Sequence, residues 1–247
     1  MVTFKVFGKD MYSGNIPIQQ SIKEQTQIRR KIVGVCNYFF SQFEGKRLLP
    51  FRGFLIYGPP GTGKTELVKR AAYELDEDFQ SKNLGKIQLM LVDGGDIAAP
   101  KWGEGEKKLR DIFEEARKDS DVRTIILFDD IETFILGRDA GLAKEWHFSL
   151  NSIFFHELDT LDLTKIMVIG TTNRNDLVDE ALRSRLYSFQ LGLPSIKDLM
   201  KIAEKFAAVY DISDFHLKDI ELKLNKSKNP SIRTVEHYIT DVIISKF

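Results

Sequence analysis

A single cysteine, Cys36 in "KIVGVCNYFF", is all that the 247-residue chain carries, so no internal disulfide can staple it. Histidine is nearly as scarce: His147 and His156 lie nine apart in one apolar segment, and no Cys/His cluster at zinc spacing accompanies them. No stretch reaches the roughly 18 unbroken apolar residues of a membrane-spanning helix. The opening "MVTFKVFGKD" lacks the apolar core of a secretory signal. An excess of one charge is missing too: 36 basic residues balance 36 acidic ones, so no overall field favours nucleic acid or a membrane surface. Repeats and low-complexity tracts are absent. Together these absences predict a globular protein of the reducing cytoplasm.

What is there is a substantial core, 43% of residues being hydrophobic. Short apolar runs alternate with helix-length amphipathic segments, the signature of a mostly parallel sheet. The runs are "GFLIY" (53–57), "IQLMLVD" (87–93), "TIILFDD" (124–130), "IMVIGTT" (166–172) and "SFQLGL" (188–193), each apolar enough for a strand covered on both faces. Helical periodicity falls at 64–76, 105–118 and 143–158. Beyond Pro194 only helical patterns remain, at about 195–210, 216–225 and 231–245. The expected organisation is therefore an N-terminal strand, connector and helix (1–44), an α/β domain (45–194) and a small helical domain (195–247).

The strongest chemical signal is "GPPGTGKTE", residues 58–66. Gly58, Gly63, Lys64 and Thr65 satisfy G-x-x-x-x-G-K-[ST] between a strand and a helix, the context that gives the pattern its meaning. Pro59, Pro60, Gly61 and Thr62 complete the loop, and Glu66 follows it. Glycines allow successive backbone N–H groups to turn inward on phosphate oxygens, and the helix N-terminus adds its positive dipole end. Lys64 would reach the β- and γ-phosphates, and Thr65 would offer a hydroxyl to Mg²⁺. Asp129, ending a neighbouring buried strand, would be its metal-binding partner, and Asp130 would polarise the attacking water.

In this order the segments resemble the AAA+ ATPases, and more narrowly their AAA branch. "GPPGTGKT" and "ILFDD" are similar to Walker A and Walker B. "WGEGEKKLRDIFEEAR" (102–117) resembles the pore-loop region, and "VIGTTNRNDLVDEALRSRL" (168–186) the second region of homology. The resemblance implies a P-loop NTPase αβα sandwich with a five-stranded, mainly parallel sheet and a helical lid. It implies ATP and Mg²⁺ as cofactors and a homo-oligomeric ring, a hexamer, acting on a macromolecule. Position by position it implies that Asn173 is sensor 1, that Arg183 or Arg185 is the arginine finger entering the next subunit's site, that Arg233 is a sensor 2 contact, and that Lys101 and Trp102 are pore residues.

Three departures from the family pattern carry expectations of their own. Asp130 stands where the family has glutamate, one methylene longer, which withdraws its carboxylate by about 1.5 Å. Misplacement of an angstrom can cost on the order of a hundredfold in rate, so hydrolysis is expected to be slow. Glu132, two residues on, is not expected to substitute for it. Lys101 takes the usual pore aromatic's place beside Trp102, and "RSR" is shorter than the family's arginine spacing. Three functions stay open: protein remodelling or threading, a nucleic-acid motor or loader, and a slowly hydrolysing ATP-switched scaffold.

Overall fold

The computed structural model describes residues 3–12, 22–43, 51–98, 103–137 and 145–245. In chain order these form β1 (Thr3–Phe7), α1 (Lys23–Ser41), β2 (Gly53–Tyr57), α2 (Lys64–Ser81), β3 (Lys86–Asp93), the single turn α3 (Gly94–Ile97), α4 (Glu104–Arg117) and β4 (Val122–Asp129). There follow α5 (Glu145–Asp159), β5 (Ile166–Thr172), α6 (Glu180–Arg185), β6 (Leu186–Gln190), α7 (Ile196–Tyr210), α8 (Asp214–Lys226) and α9 (Ile232–Ile244).

The strands make one sheet in the order β1-β3-β4-β5-β2-β6. Neighbours from β3 to β6 run parallel, so every connection there is a crossover that places a helix over the sheet. The expected five strands are thus six: β1 adds antiparallel to β3, with Thr3 opposite Val92 and Phe7 opposite Gln88. Its role escapes a search for apolar runs because an edge strand need be buried on neither face; it serves by covering the open edge of β3. At the other edge, β6 begins two residues earlier than "SFQLGL" and is half-exposed, with Tyr187 at 59%. An edge strand again departs from the two-sided burial that the apolar run suggests.

The fold is the expected P-loop αβα sandwich. Phe113 of α4 and Phe154 of α5 converge on Phe128 of β4, ring centroids 5.1 to 6.0 Å apart. Elsewhere α1 and α2 pack through Phe40 and Phe79. Each such phenylalanine is buried, and truncation to alanine would cost roughly 3–5 kcal/mol. β1 and α1 are built into this assembly, since Ile28, Ile32, Cys36 and Phe39 of α1 belong to the same core and Val6 of β1 packs against it. A second, smaller core holds α7, α8 and α9 together through Leu199, Ile202, Ile220, Leu224, Val235 and Ile239. Ile22, immediately before α1, is buried in that second core and ties the start of α1 to the helical lid.

Candidate nucleotide-binding site

β2 runs out at Tyr57, and the chain turns through Gly58–Gly63 before α2 begins at Lys64. Gly61 and Gly63 take left-handed conformations that favour glycine, with φ of 75° and 86°. At Gly61 a Cβ would also come within 2.7 Å of the Ser231 hydroxyl. Thr62 is fully buried and pins the loop twice. Its hydroxyl donates to the Pro59 carbonyl at 2.9 Å, and its carbonyl accepts from Gln25 Nε2 at 2.8 Å.

Lys64 is 93% withdrawn from solvent and fully engaged. Its Nζ donates to the carbonyls of Gly58 (2.9 Å) and Pro59 (3.0 Å) and to Asn173 Oδ1 (2.6 Å). Burial lowers its pKa below the usual lysine value, opposed by the negative field of Asp130, Asp129 and Glu132. Thr65 Oγ1 donates to both carboxylate oxygens of Asp129, at 2.9 and 3.0 Å. Thr171, opposite on β5, gives its own hydroxyl hydrogen bond to Asp129.

β4 stops at Asp129 because Asp130 turns left-handed, with φ 49° and ψ 52°. That turn starts a short 3₁₀ segment, Ile131–Thr133, and brings Glu132 back toward the tip of β5. Glu132 thus stays beside the site without taking the place of Asp130: its Oε1 accepts the backbone N–H of Asn173 at 3.1 Å. The Asn173 side chain meanwhile donates from Nδ2 to Asp130 Oδ1 at 3.0 Å. Desolvation raises the Asp130 pKa, and the neighbouring charges of Asp129, Glu132 and Asp93 raise it further.

These groups line a cleft of about 330 Å³ that contains Pro60, Gly61, Gly63, Lys64, Thr65, Glu66, Asp129, Asp130 and Asn173. Its remaining wall is α9, through Ile232, Arg233 and Glu236. The lid holds the loop directly, as the N–H groups of Ile232 and Arg233 point to the Gly61 carbonyl at 3.1 and 3.5 Å. Gly58, Pro59 and Thr62 act behind the cleft surface, through the hydrogen bonds above.

Arg183 and Arg185 lie outside the cleft and differ from each other. Arg185 is held by Asp159 through two bonds of 2.8 Å, by the Ala181 carbonyl at 3.0 Å, and over the Phe155 ring at 5.0 Å. Arg183 is solvent-exposed, and its side chain makes no hydrogen bond or ion pair to any described residue. Lys101 and Trp102 fall outside the described residues. Sequence reasoning missed Thr171, Gln25, Ile232 and Glu236. Thr171 could have been suspected as the residue facing Asp129 across parallel strands, but that register is not written in either strand alone.

Comparison with known proteins bears on this geometry. The ATPase family associated with various cellular activities (AAA) matches residues 54–192. The chain is 36% identical over 166 residues to the ATPase histone chaperone YTA7 of Saccharomyces cerevisiae, covering 66% of this chain and 12% of that protein. It is 34% identical over 143 residues to an AAA ATPase forming ring-shaped complexes from Corynebacterium efficiens, covering 57% and 27%. To a proteasome-associated ATPase of Thermobifida fusca it is 30% identical over 146 residues, covering 57% and 25%. The match thus spans about a quarter or less of the YTA7 and proteasome-associated relatives' own length and little more of the Corynebacterium protein.

Proposed function

The chain belongs to the AAA family of ATPases, and from that premise we propose that it binds and hydrolyses ATP with Mg²⁺ as one subunit of a ring, a hexamer, that remodels or threads a protein substrate. The observation that carries this reading is the chain of contacts Lys64, Asn173, Asp130 beside the Thr65 and Asp129 pair, all opening on one cleft at the strand ends. A hydroxyl and a carboxylate sharing one spot is a hard-oxygen donor set that fits Mg²⁺, so Thr65 and Asp129 would hold it. When bound, the ion would neutralise charge on the phosphate oxygens.

The protein's own groups supply the rest. Lys64 would exchange the Gly58 and Pro59 carbonyls for phosphate oxygens, and the N–H groups of Gly61 to Thr65 would cradle them. Asn173 would orient the attacking water and Asp130 would accept its proton. In the division of the chain that goes with this reading, 45–194 bind the nucleotide and 195–247 close over it, with Arg233 touching phosphate. Arg183 is the arginine finger: it is the free one of the pair, whereas Arg185 is committed to Asp159. Lys101 and Trp102 would meet the substrate. Names such as proteasome-associated ATPase and histone chaperone among its relatives support a protein client over a nucleic acid. Cytoplasmic residence belongs to the same proposal.

One observation favours a second reading. Asp130 is short and its Oδ1 is already engaged by Asn173, which suits an ATP-switched scaffold with slow turnover. ATP turnover of the wild type, Asp130→Glu and Arg183→Ala, with particle size measured with and without ATP, tests both. Brisk wild-type turnover, a ring with ATP and a loss of about a thousandfold in Arg183→Ala support the motor. A large gain in Asp130→Glu supports the scaffold. No turnover and no assembly in any variant refutes the first reading.

A further inference from the structure

Glu132 is half-buried and outside the cleft lining, yet it touches the tip of β5. The turn at Asp130 places it there, and its Oε1 takes the first backbone N–H beyond β5, that of Asn173. That N–H lies past the end of the strand ladder and so has no sheet partner to occupy it. Its other oxygen, Oε2, is buried and has no hydrogen-bond partner among the described residues. An ionisable side chain half-buried with one oxygen unpaired is costly to keep unless the other oxygen does something specific.

We propose that Glu132 is the positioning residue of the site: it clamps the Asn173 backbone so that the asparagine amide is held with Oδ1 on Lys64 and Nδ2 on Asp130. An amide that swings by an angstrom releases both partners at once, since its two ends are the link between cation and acid. Glu132 does not act on water itself, because its free oxygen is closed off from solvent and the residue is not in the cleft lining. The long carboxylate missing at Asp130 is thus not relocated to Glu132; the acid two residues on instead stiffens the group through which the shorter Asp130 is aimed. The inference rests on the ATPase reading for its kinetic consequence, though not for its structural one.

The test uses the full chain and the variants Glu132→Gln, which keeps an acceptor oxygen, and Glu132→Ala, which does not. Hydrogen exchange at the Asn173 backbone amide is read first, without nucleotide. It should quicken about tenfold in Glu132→Ala and stay near wild type in Glu132→Gln. Turnover should follow: kcat down at least about tenfold in Glu132→Ala with KM for ATP within about twofold, and Glu132→Gln close to wild type. Adding Glu132→Ala to Asn173→Ala should cost nothing further, because Glu132 acts only through the Asn173 amide. Should Glu132→Ala not fold, Glu132→Asp, retracted by about 1.5 Å, carries the same expectations.

Unchanged Asn173 exchange in Glu132→Ala overturns the clamp. A Glu132→Gln variant as inactive as Glu132→Ala but with the amide still protected also overturns it, since the charge would then be acting directly. If the wild type shows no turnover, the ATPase reading fails while the exchange measurement still decides Glu132.

Discussion

The two walls of the cleft are made differently. The wall at the strand tips is held by two sets of hydrogen bonds: Lys64, Asn173 and Asp130, steadied from behind by Glu132, and Thr65 and Asp129, steadied by Thr171. The wall from α9 reaches the loop mainly by backbone, through Ile232 and Arg233 on the Gly61 carbonyl, and its Arg233 and Glu236 side chains are exposed. It also belongs to a separate core. A network of mutually fixed polar groups gives the angstrom-level placement that proton and phosphoryl transfer need. A wall hung on two backbone bonds can shift as a body without disturbing that placement. On the proposed reading, chemistry would belong to the first wall and nucleotide retention to the second.

The largest expected effect breaks the rigid wall. Lys64→Ala removes the cation that spans Gly58, Pro59 and Asn173, and steady-state ATPase assays should show turnover reduced by roughly a thousandfold. Next, Gly61→Ala strikes the junction of the walls, forcing a Cβ onto a backbone with φ 75° and against Ser231. Nucleotide titration should show affinity weakened about tenfold, with the hydrogen exchange of Asn173 unchanged; equal damage to both would erase the distinction. Arg233→Ala, confined to the looser wall, should raise KM about threefold and leave kcat alone.

Two smaller effects are read in stability. The raised pKa of Asp130 means that between its ordinary value of 3.8 and its folded value the native state holds more protons than the unfolded one. Stability therefore falls as pH rises through that window, and the deficit is complete above it. Asp130→Asn keeps the acceptor for Asn173 but removes the charge, so thermal melts should show a higher Tm than wild type at pH 7 and no difference below pH 3.8. Asp159 behaves oppositely: hydrogen bonding from Arg185 lowers its pKa, so its contribution is present above the ordinary carboxylate value and lost as pH falls through the lowered one. Because the pair is partly exposed, Arg185→Ala should cost only about 0.5 kcal/mol at neutral pH, measured by denaturant melts. It should also leave kcat far less affected than Arg183→Ala does.

Much of this is legible in the sequence alone. The helices at α2, α4 and α7 to α9 fall within a few residues of where periodicity puts them, because amphipathic spacing is a local property. The Gly58 to Thr65 loop was equally plain, since its glycines, lysine and threonine are contiguous. What escaped was whatever joins distant segments. Gln25 supports Thr62 from 37 residues away, and Thr171 meets Asp129 from 42 away. Neither residue type is unusual where it stands.

The opposition of Glu132 and Arg185 shows the boundary most clearly. Local pattern was enough for a parallel sheet, a phosphate loop and a carboxylate at the end of a buried strand, because each depends on residues adjacent in the chain. Tertiary structure alone decided that Asp130 turns left-handed and carries Glu132 onto Asn173, and that Asp159 holds Arg185 while leaving Arg183 free. Those outcomes depend on which strand tip and which helix end come together, and only the folded chain brings them within hydrogen-bond reach.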